Sequence, residues 1–144
     1  MNDKKTLKVM FLCTGNSCRS QMAEGFAREL GEGLIEPSSA GIIPCYVHPL
    51  AIKVMKEEGI DISHHHSKAV DSKVLENMDL IVSLCGRSNA SCPATPKKIK
   101  RISMPVHDPV GTIGADEEIL NAFRKTRDEI RGKIQNLIED LTKS

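Results

Sequence analysis

The chain has 144 residues, of which 40% are hydrophobic, and a formal net charge of +1. This length suits one domain with a sizeable core, so we treat residues 1–144 as a single domain. The nearly neutral charge gives no reason to expect nucleic acid or an anionic membrane as a partner. The polar start and the lack of any apolar run of about 20 residues indicate no signal peptide and no membrane span. We therefore expect a cytoplasmic protein and a monomer.

The hydrophobic pattern predicts strands that alternate with helices along the chain. The first half contains a strand, a helix, a strand and a helix, over Leu7–Leu12, Ser20–Gly31, Leu34–Ala40 and His48–Gly59. The second half contains a short helix, two strands and a long helix, over Asp71–Asn77, Leu80–Leu84, Ile99–Met104 and from about Gly114 onward. The continuous apolar run of the third strand is typical of a strand covered on both faces in a parallel sheet. The predicted fold class is α/β, a doubly wound four-stranded parallel sheet flanked by helices. In the second helix we place Ala51, Ile52 and Met55 on the inner face.

A short polar loop enclosed by Cys13 and Arg19 joins the first strand to the first helix. Its inner residues are Thr14, Gly15, Asn16, Ser17 and Cys18. A tetrahedral oxyanion in this loop meets backbone N–H groups, the positive end of the helix dipole, the guanidinium of Arg19 and a sulfur nucleophile at Cys13. The same groups favour the thiolate of Cys13 over the thiol. The spacing alone is weak, but the apolar strand before it, the helix after it, and the turn-forming Gly15 and Asn16 favour an anion-binding loop over a plain turn.

Two further residues are predicted to lie on the same rim of the sheet as Cys13. Ligands of an open parallel sheet bind beyond the carboxyl ends of the strands. Cys85 follows the third strand directly, and Asp108 lies a few residues beyond the fourth. Asp108 precedes Pro109, so it either caps a turn or protonates a leaving oxygen, and its place on the rim favours the general acid.

The five cysteines point to reactivity or to metal binding, because a static disulfide framework is rare in a reducing compartment. Cys85 and Cys92 are seven residues apart, whereas a zinc knuckle spaces its cysteines by about two to four. The consecutive His64, His65 and His66 project in different directions. We therefore predict no metal site and place the three histidines in an exposed polar loop.

The segment from Cys13 to Gly25 resembles the thioredoxin-coupled arsenate reductases, which share their fold with the low-molecular-weight tyrosine phosphatases. The resemblance covers most of the chain. It continues through Ser39-Ala40-Gly41, Gly59-Ile60-Asp61-Ile62-Ser63, Leu84-Cys85-Gly86, Cys92-Pro93 and Asp108-Pro109. It implies a low-molecular-weight phosphatase-like fold, no tightly bound cofactor, and thioredoxin as the electron donor.

The resemblance also implies a role for each residue of the site. Cys13 is the nucleophile that attacks arsenate, and Arg19 holds the oxyanion. Ser20 steadies the sulfur as it leaves, and Asp108 is the general acid. Cys18 is then a packing residue.

Two disulfides follow from the resemblance. Cys85 attacks Cys13, which releases arsenite and leaves a Cys13–Cys85 disulfide. Cys92 next takes Cys85 into a Cys85–Cys92 disulfide, which thioredoxin reduces. Cys45 has no counterpart in this scheme, and we interpret it as an exposed incidental thiol.

Two other functions remain open at this point. One is a low-molecular-weight protein tyrosine phosphatase that hydrolyses phosphate monoesters through a phosphocysteine at Cys13. Binding a phenyl phosphate favours aromatic walls around the slot, and relatives of that kind carry tyrosines just after the Asp-Pro pair. Here Val110-Gly111 follows instead. The aromatic residues of the chain are Tyr46, Phe11, Phe26 and Phe123. The other function is a non-enzymatic redox or arsenic sensor.

Several arsenate reductases of this group bind a potassium ion with residues that match Asn16, Glu24 and Ser39. Where those proteins offer a threonine and a carboxylate, this chain has His66 and Lys68. We interpret the Lys68 ammonium as taking the place of the cation beside Glu24, and we expect activity that is insensitive to potassium.

Overall fold

The computed structural model describes residues 6–84 and 95–143, which form a parallel sheet covered by helices. In chain order the elements are β1 (Leu7–Cys13), α1 (Arg19–Leu30), β2 (Ile35–Gly41), α2 (Pro49–Lys56), α3 (Ser72–Leu75), β3 (Leu80–Ser83), β4 (Lys100–Ser103) and α4 (Asp116–Thr142). The strands lie in the order β2-β1-β3-β4 and every neighbouring pair is parallel. The predicted fold class is confirmed, and the element ends differ from the predictions by a few residues.

The position of each strand in the sheet follows from its side chains. All four residues of β3 are buried, as expected of a central strand with helices on both faces. Pro37 lies in β2, where the lack of an N–H donor costs least because β2 is an edge strand. β4, at the opposite edge, is largely exposed. The functional loop after β1 is therefore built on the protected centre of the sheet.

Successive residues of the strands point to opposite faces and form two cores. Val9 and Phe11 of β1 pack with helices α1, α2 and α4 in the larger core. Met10 and Leu12 of the same strand pack with Leu75 of α3 on the other face. The long helix α4 contributes Phe123, Ile130, Ile134 and Leu137 to the larger core. No helix in the described part of the chain is long and apolar enough to cross a membrane.

Helix α2 differs slightly from its prediction. Its fully buried residues are Ala51, Val54 and Met55, whereas Ile52 is only partly buried. His48 caps the helix, since its Nδ1 atom accepts a hydrogen bond from the Leu50 N–H at 3.1 Å.

Gly25 of α1 is the point where this helix comes closest to the segment after α2. A Cβ atom on Gly25 would lie 2.9 Å from Cγ2 of Ile62 and 3.0 Å from Cε of Met55. Gly25→Ala is expected to lower the free energy of unfolding by about 1–3 kcal/mol through overpacking, despite its better helix propensity. Urea unfolding measures the change. Gly132→Ala is the control, because a Cβ there meets nothing within 4 Å, and it should raise stability by about 0.5–1 kcal/mol. Unchanged stability of Gly25→Ala contradicts the close approach.

The cap of α2 makes stability depend on pH. Burial lowers the pKa of His48 from its ordinary value of 6.5, and the carboxylate of Asp108 opposes this change. A lowered folded-state pKa means that the neutral imidazole stabilises the fold above about pH 6.5, and that this contribution is lost as the pH falls. His48→Asn keeps a capping oxygen that does not titrate. The Tm of the parent protein should therefore fall more between about pH 7.5 and 5.5 than the Tm of His48→Asn. Equal falls contradict the prediction.

Candidate active site

The loop from Cys13 to Arg19 turns sharply at Asn16, which is fully buried with a φ of 49°. This is the left-handed conformation that asparagine tolerates better than most residues. Gly15 does not need positive φ, so the sequence assigned the bend partly to the wrong residue. The loop instead presses on Gly41 at the end of β2, where a Cβ atom would lie 2.7 Å from the backbone N of Asn16 and 2.7 Å from the Thr14 carbonyl oxygen. The sequence analysis included Gly41 only as part of the Ser39-Ala40-Gly41 motif.

The sulfur of Cys13 lies at the end of β1 and is 2% exposed. Its Sγ atom is 2.9 Å from Oγ of Ser20, in the first turn of α1. Ser20 Oγ also accepts a hydrogen bond from Nδ2 of Asn16 at 2.8 Å. A thiolate only accepts hydrogen bonds, so the Ser20 hydroxyl is the donor whenever the Cys13 thiol has lost its proton. The Cys13 sulfur thus lies beside a hydroxyl group in the first turn of α1.

Arg19 joins the loop to the carboxyl ends of two other strands. Its NH1 group donates to the carbonyl oxygens of Leu84, after β3, and Val106, after β4, both at 3.1 Å. Its NH2 group lies 3.4 Å from Oδ2 of Asp108. Arg19 is 7% exposed, so its guanidinium depends on hydrogen bonds to the protein rather than on solvent. Cys13, Arg19 and Asp108 thus meet at one rim.

Asp108 caps a turn, as the sequence allowed, and its second oxygen faces Arg19. Its Oδ1 atom accepts a hydrogen bond from the Val110 N–H at 3.0 Å, which forms a turn around Pro109. Its Oδ2 atom faces Arg19, and the side chain is 46% exposed. The turn therefore holds one oxygen while the other is available to a group in the site.

A pocket of about 270 Å³ opens above the loop. Besides loop residues and Asp108, it is lined by Cys45, Tyr46, His48 and Val110. Sequence reasoning placed Val110 beside the slot and predicted that Cys45 is exposed, but it did not assign Tyr46 or His48 to the site. The segment that follows β2 reaches the pocket because β2 pairs with β1, and strand order was the signal that could have located it.

Cys18 behaves as a packing residue. Its side chain is 3% exposed and belongs to the larger core. Burial raises the pKa of its thiol, and the neighbouring Asp108 and Cys13 raise it further, whereas Arg19 lowers it. Cys18 therefore stays protonated beside Cys13 and does not compete as a nucleophile.

Cys85 and Cys92 lie outside the described residues, and so do both predicted disulfides. Leu84, the residue before Cys85, is buried and its carbonyl oxygen binds Arg19. The chain thus leaves β3 at the rim that carries Cys13.

The interpretation of Lys68 as the cation beside Glu24 is wrong. The Lys68 ammonium donates to the carbonyl oxygen of His66 at 2.8 Å. One oxygen of Glu24 accepts from Ser39 Oγ at 2.6 Å, and the other pairs with the Arg28 guanidinium at 2.8 Å. Because both carboxylate oxygens already have protein partners, this group of residues does not fit a potassium ion.

Comparison with known proteins places the chain among related sequences and folds. Residues 8–144 match the family of low molecular weight phosphotyrosine protein phosphatases. An arsenate reductase of Halalkalibacterium halodurans is 46% identical over 131 residues, which cover 91% of this chain and 94% of that protein.

Two solved structures are similar over nearly the whole chain. One is an arsenate reductase in the phosphate binding state, 38% identical with a TM-score of 0.77, covering 94% of this chain and 99% of that one. The other is a low molecular weight protein tyrosine phosphatase from T. tengcongensis, 33% identical with a TM-score of 0.77 over the same shares. The chain therefore belongs to the low molecular weight phosphotyrosine protein phosphatase family and, within it, to the arsenate reductases.

Proposed function

We propose that this protein reduces arsenate to arsenite by a relay of three thiols, from Cys13 to Cys85 to Cys92, and that thioredoxin restores the reduced enzyme. The observation that carries the proposal is the Cys13 sulfur held 2.9 Å from Ser20 Oγ, in a pocket that Arg19 also lines. A tetrahedral oxyanion such as hydrogen arsenate matches these donors. The similar arsenate reductase that was solved in the phosphate binding state supports an oxyanion as the ligand.

The first step joins arsenic to sulfur. Arg19 and the loop N–H groups hold the arsenate, and the Cys13 thiolate displaces one of its oxygens. That oxygen is the hydroxyl of hydrogen arsenate, so one proton from Asp108 lets it leave as water. Arsenic remains in its +5 state, bound to Cys13.

The second step transfers the electrons. The Cys85 thiolate attacks the sulfur of Cys13, and the electron pair of the sulfur–arsenic bond goes to arsenic. Arsenic is reduced to the +3 state and leaves as arsenite, while the two sulfurs are oxidised to the Cys13–Cys85 disulfide. The position of Leu84 against Arg19 supports this attack, since Cys85 is the next residue.

The third step resets the nucleophile. Cys92 attacks Cys85, which forms the Cys85–Cys92 disulfide and expels Cys13 as a thiolate that Ser20 stabilises. A dithiol donor of the thioredoxin type then returns two electrons to the disulfide. The cycle therefore consumes one donor dithiol for each arsenite released.

The relay predicts different failures for its two later cysteines. Cys92→Ser should release about one arsenite per enzyme and then stop, because the Cys13–Cys85 disulfide is not passed on. Cys85→Ser should release none. Single-turnover arsenite release and multiple turnover with thioredoxin measure the two effects. Gly132→Ala, at a position in α4 that does not line the pocket, is the control and should turn over like the parent. Continued turnover of Cys92→Ser contradicts the relay.

Two substitutions of Asp108 separate its proposed role as general acid from its role in the turn around Pro109. Asp108→Asn keeps an oxygen that accepts from the Val110 N–H but has no proton to give. It should lower the rate of the first arsenite release by about 10²- to 10⁴-fold while the Tm stays near that of the parent. Asp108→Ala should lower both the rate and the Tm, because the turn is lost as well. A fully active Asp108→Asn protein rules out the general acid.

A second candidate function is the hydrolysis of phosphate monoesters through a phosphocysteine at Cys13. The observation that favours it is Tyr46, which lines the pocket and stacks on His48 with ring centroids 6.0 Å apart. An aromatic wall suits an aryl ester. This reaction uses water in place of Cys85, so Cys85→Ser should hydrolyse p-nitrophenyl phosphate as well as the parent does.

A further inference from the structure

Of the three consecutive histidines, His65 differs from its neighbours. His64 and His66 are exposed as predicted, but His65 is only partly exposed and its two ring nitrogens both have partners. Nδ1 lies 2.9 Å from Oε1 of Gln21, and Nε2 lies 3.1 Å from NH1 of Arg28. The loop prediction was therefore incomplete for this residue.

The partners of His65 determine where its proton lies. An arginine only donates hydrogen bonds, so Nε2 of His65 must accept from Arg28. The Gln21 amide nitrogen donates to the carbonyl oxygen of Asn16 at 3.0 Å, to Oδ1 of Asn16 at 3.1 Å and to the carbonyl oxygen of His66 at 3.1 Å. Its oxygen is then the atom that faces His65 and must accept. His65 is therefore neutral, with its proton on Nδ1.

The charges around His65 agree with a neutral ring. Burial lowers the pKa of His65 and the carboxylate of Glu24 raises it, whereas charge interactions with Arg28, His64 and Lys68 lower it further. These groups come from α1 and from the loop that carries His65 itself.

Further hydrogen bonds connect Gln21 to Cys13 through Asn16 and Ser20. Oδ1 of Asn16 accepts from Gln21 and from the Lys68 N–H at 2.8 Å, which turns the Asn16 amide nitrogen towards Ser20. That nitrogen donates to Ser20 Oγ at 2.8 Å, and the Ser20 hydroxyl lies 2.9 Å from the Cys13 sulfur.

When Cys13 is a thiolate, which only accepts, all hydrogen bonds of this series run in one direction. Donation runs from the Arg28 guanidinium through His65, Gln21, Asn16 and Ser20 to the sulfur of Cys13. A series of bonds with one direction polarises its members in the same sense, with a cation at one end and a thiolate at the other.

We propose that His65 is a positioning residue for Cys13: its Nδ1–H fixes the Gln21 amide, and through Asn16 it turns the Ser20 hydroxyl proton towards the thiolate. His65 touches neither the pocket nor the reacting atoms. The inference rests on the proposed function only in taking Cys13 as the nucleophile.

The test measures the reactivity of Cys13 without arsenate. Iodoacetamide alkylation of Cys13, followed by mass spectrometry over a range of pH, reports how readily the thiolate forms. His65→Ala removes the donor, and the alkylation rate near pH 7 should fall by about 2- to 10-fold, as expected for one lost hydrogen bond. The pH at which the alkylation rate is half its maximum should be higher for His65→Ala than for the parent.

His65→Asn is the conservative variant, because its amide nitrogen lies close to where Nδ1 was and donates to Gln21 in the same way. It should alkylate within about twofold of the parent. His64→Ala, which removes only the neighbouring ring, should behave like the parent. If His65→Ala alkylates like the parent, or if His65→Asn loses as much as His65→Ala, the proposal is overturned.

A second measurement needs no variant, so it holds even if His65→Ala fails to fold. Long-range proton–nitrogen NMR spectra of the parent protein should show His65 with its proton on Nδ1, and a proton on Nε2 overturns the proposal. Failure of the thiol relay leaves both measurements intact, since neither uses arsenate or thioredoxin. An active relay with an Nε2–H tautomer would overturn the positioning role alone.

Discussion

The buried guanidinium of Arg19 is the group on which the geometry of the site depends. A buried charge is stable only when its hydrogen bonds are satisfied, and here the carbonyl oxygens of Leu84 and Val106 satisfy NH1. Those carbonyls belong to the segments that leave β3 and β4. The hydrogen bonds of Arg19 therefore connect the carboxyl ends of β1, β3 and β4, and they place Asp108 on the same rim as Cys13.

The loop is held as firmly from the other side. Asn16 takes a left-handed conformation and lies against Gly41, which has no side chain to obstruct it. The Asn16 side chain binds Ser20, and Ser20 binds Cys13. Because each of these groups is buried and paired, hydrogen bonds within the protein hold the loop in this conformation.

The same scaffold supports two kinds of chemistry for a simple reason. Attack by Cys13 on a tetrahedral oxyanion requires the loop, Arg19 and a proton donor, whether the central atom is phosphorus or arsenic. What distinguishes reduction from hydrolysis is a second thiol that reaches the first, and Cys85 follows directly on the residue that binds Arg19. Tyr46 and Val110 on the pocket wall bear on which substrates enter rather than on which reaction follows.

The sequence by itself determined the sheet, the helices and the loop, because these depend on local patterns. The apolar run of Leu80–Leu84, the turn residues after Cys13 and the amphipathic final helix are each visible within a few residues of the chain. The meeting of Cys13 with Asp108 was also predictable, since parallel strands end at one edge.

Only the tertiary structure decided which polar groups pair across the chain. The sequence analysis assigned the cation beside Glu24 to Lys68. In the structure Arg28 pairs with Glu24, and the Lys68 ammonium donates to the carbonyl oxygen of His66 in its own loop. His65 was one of three equivalent histidines until its contacts with Gln21 and Arg28 set it apart. A hydrogen bond forms or fails on a difference of a few tenths of an ångström between its two atoms. Where those atoms belong to residues far apart in the chain, no local sequence pattern records the distance.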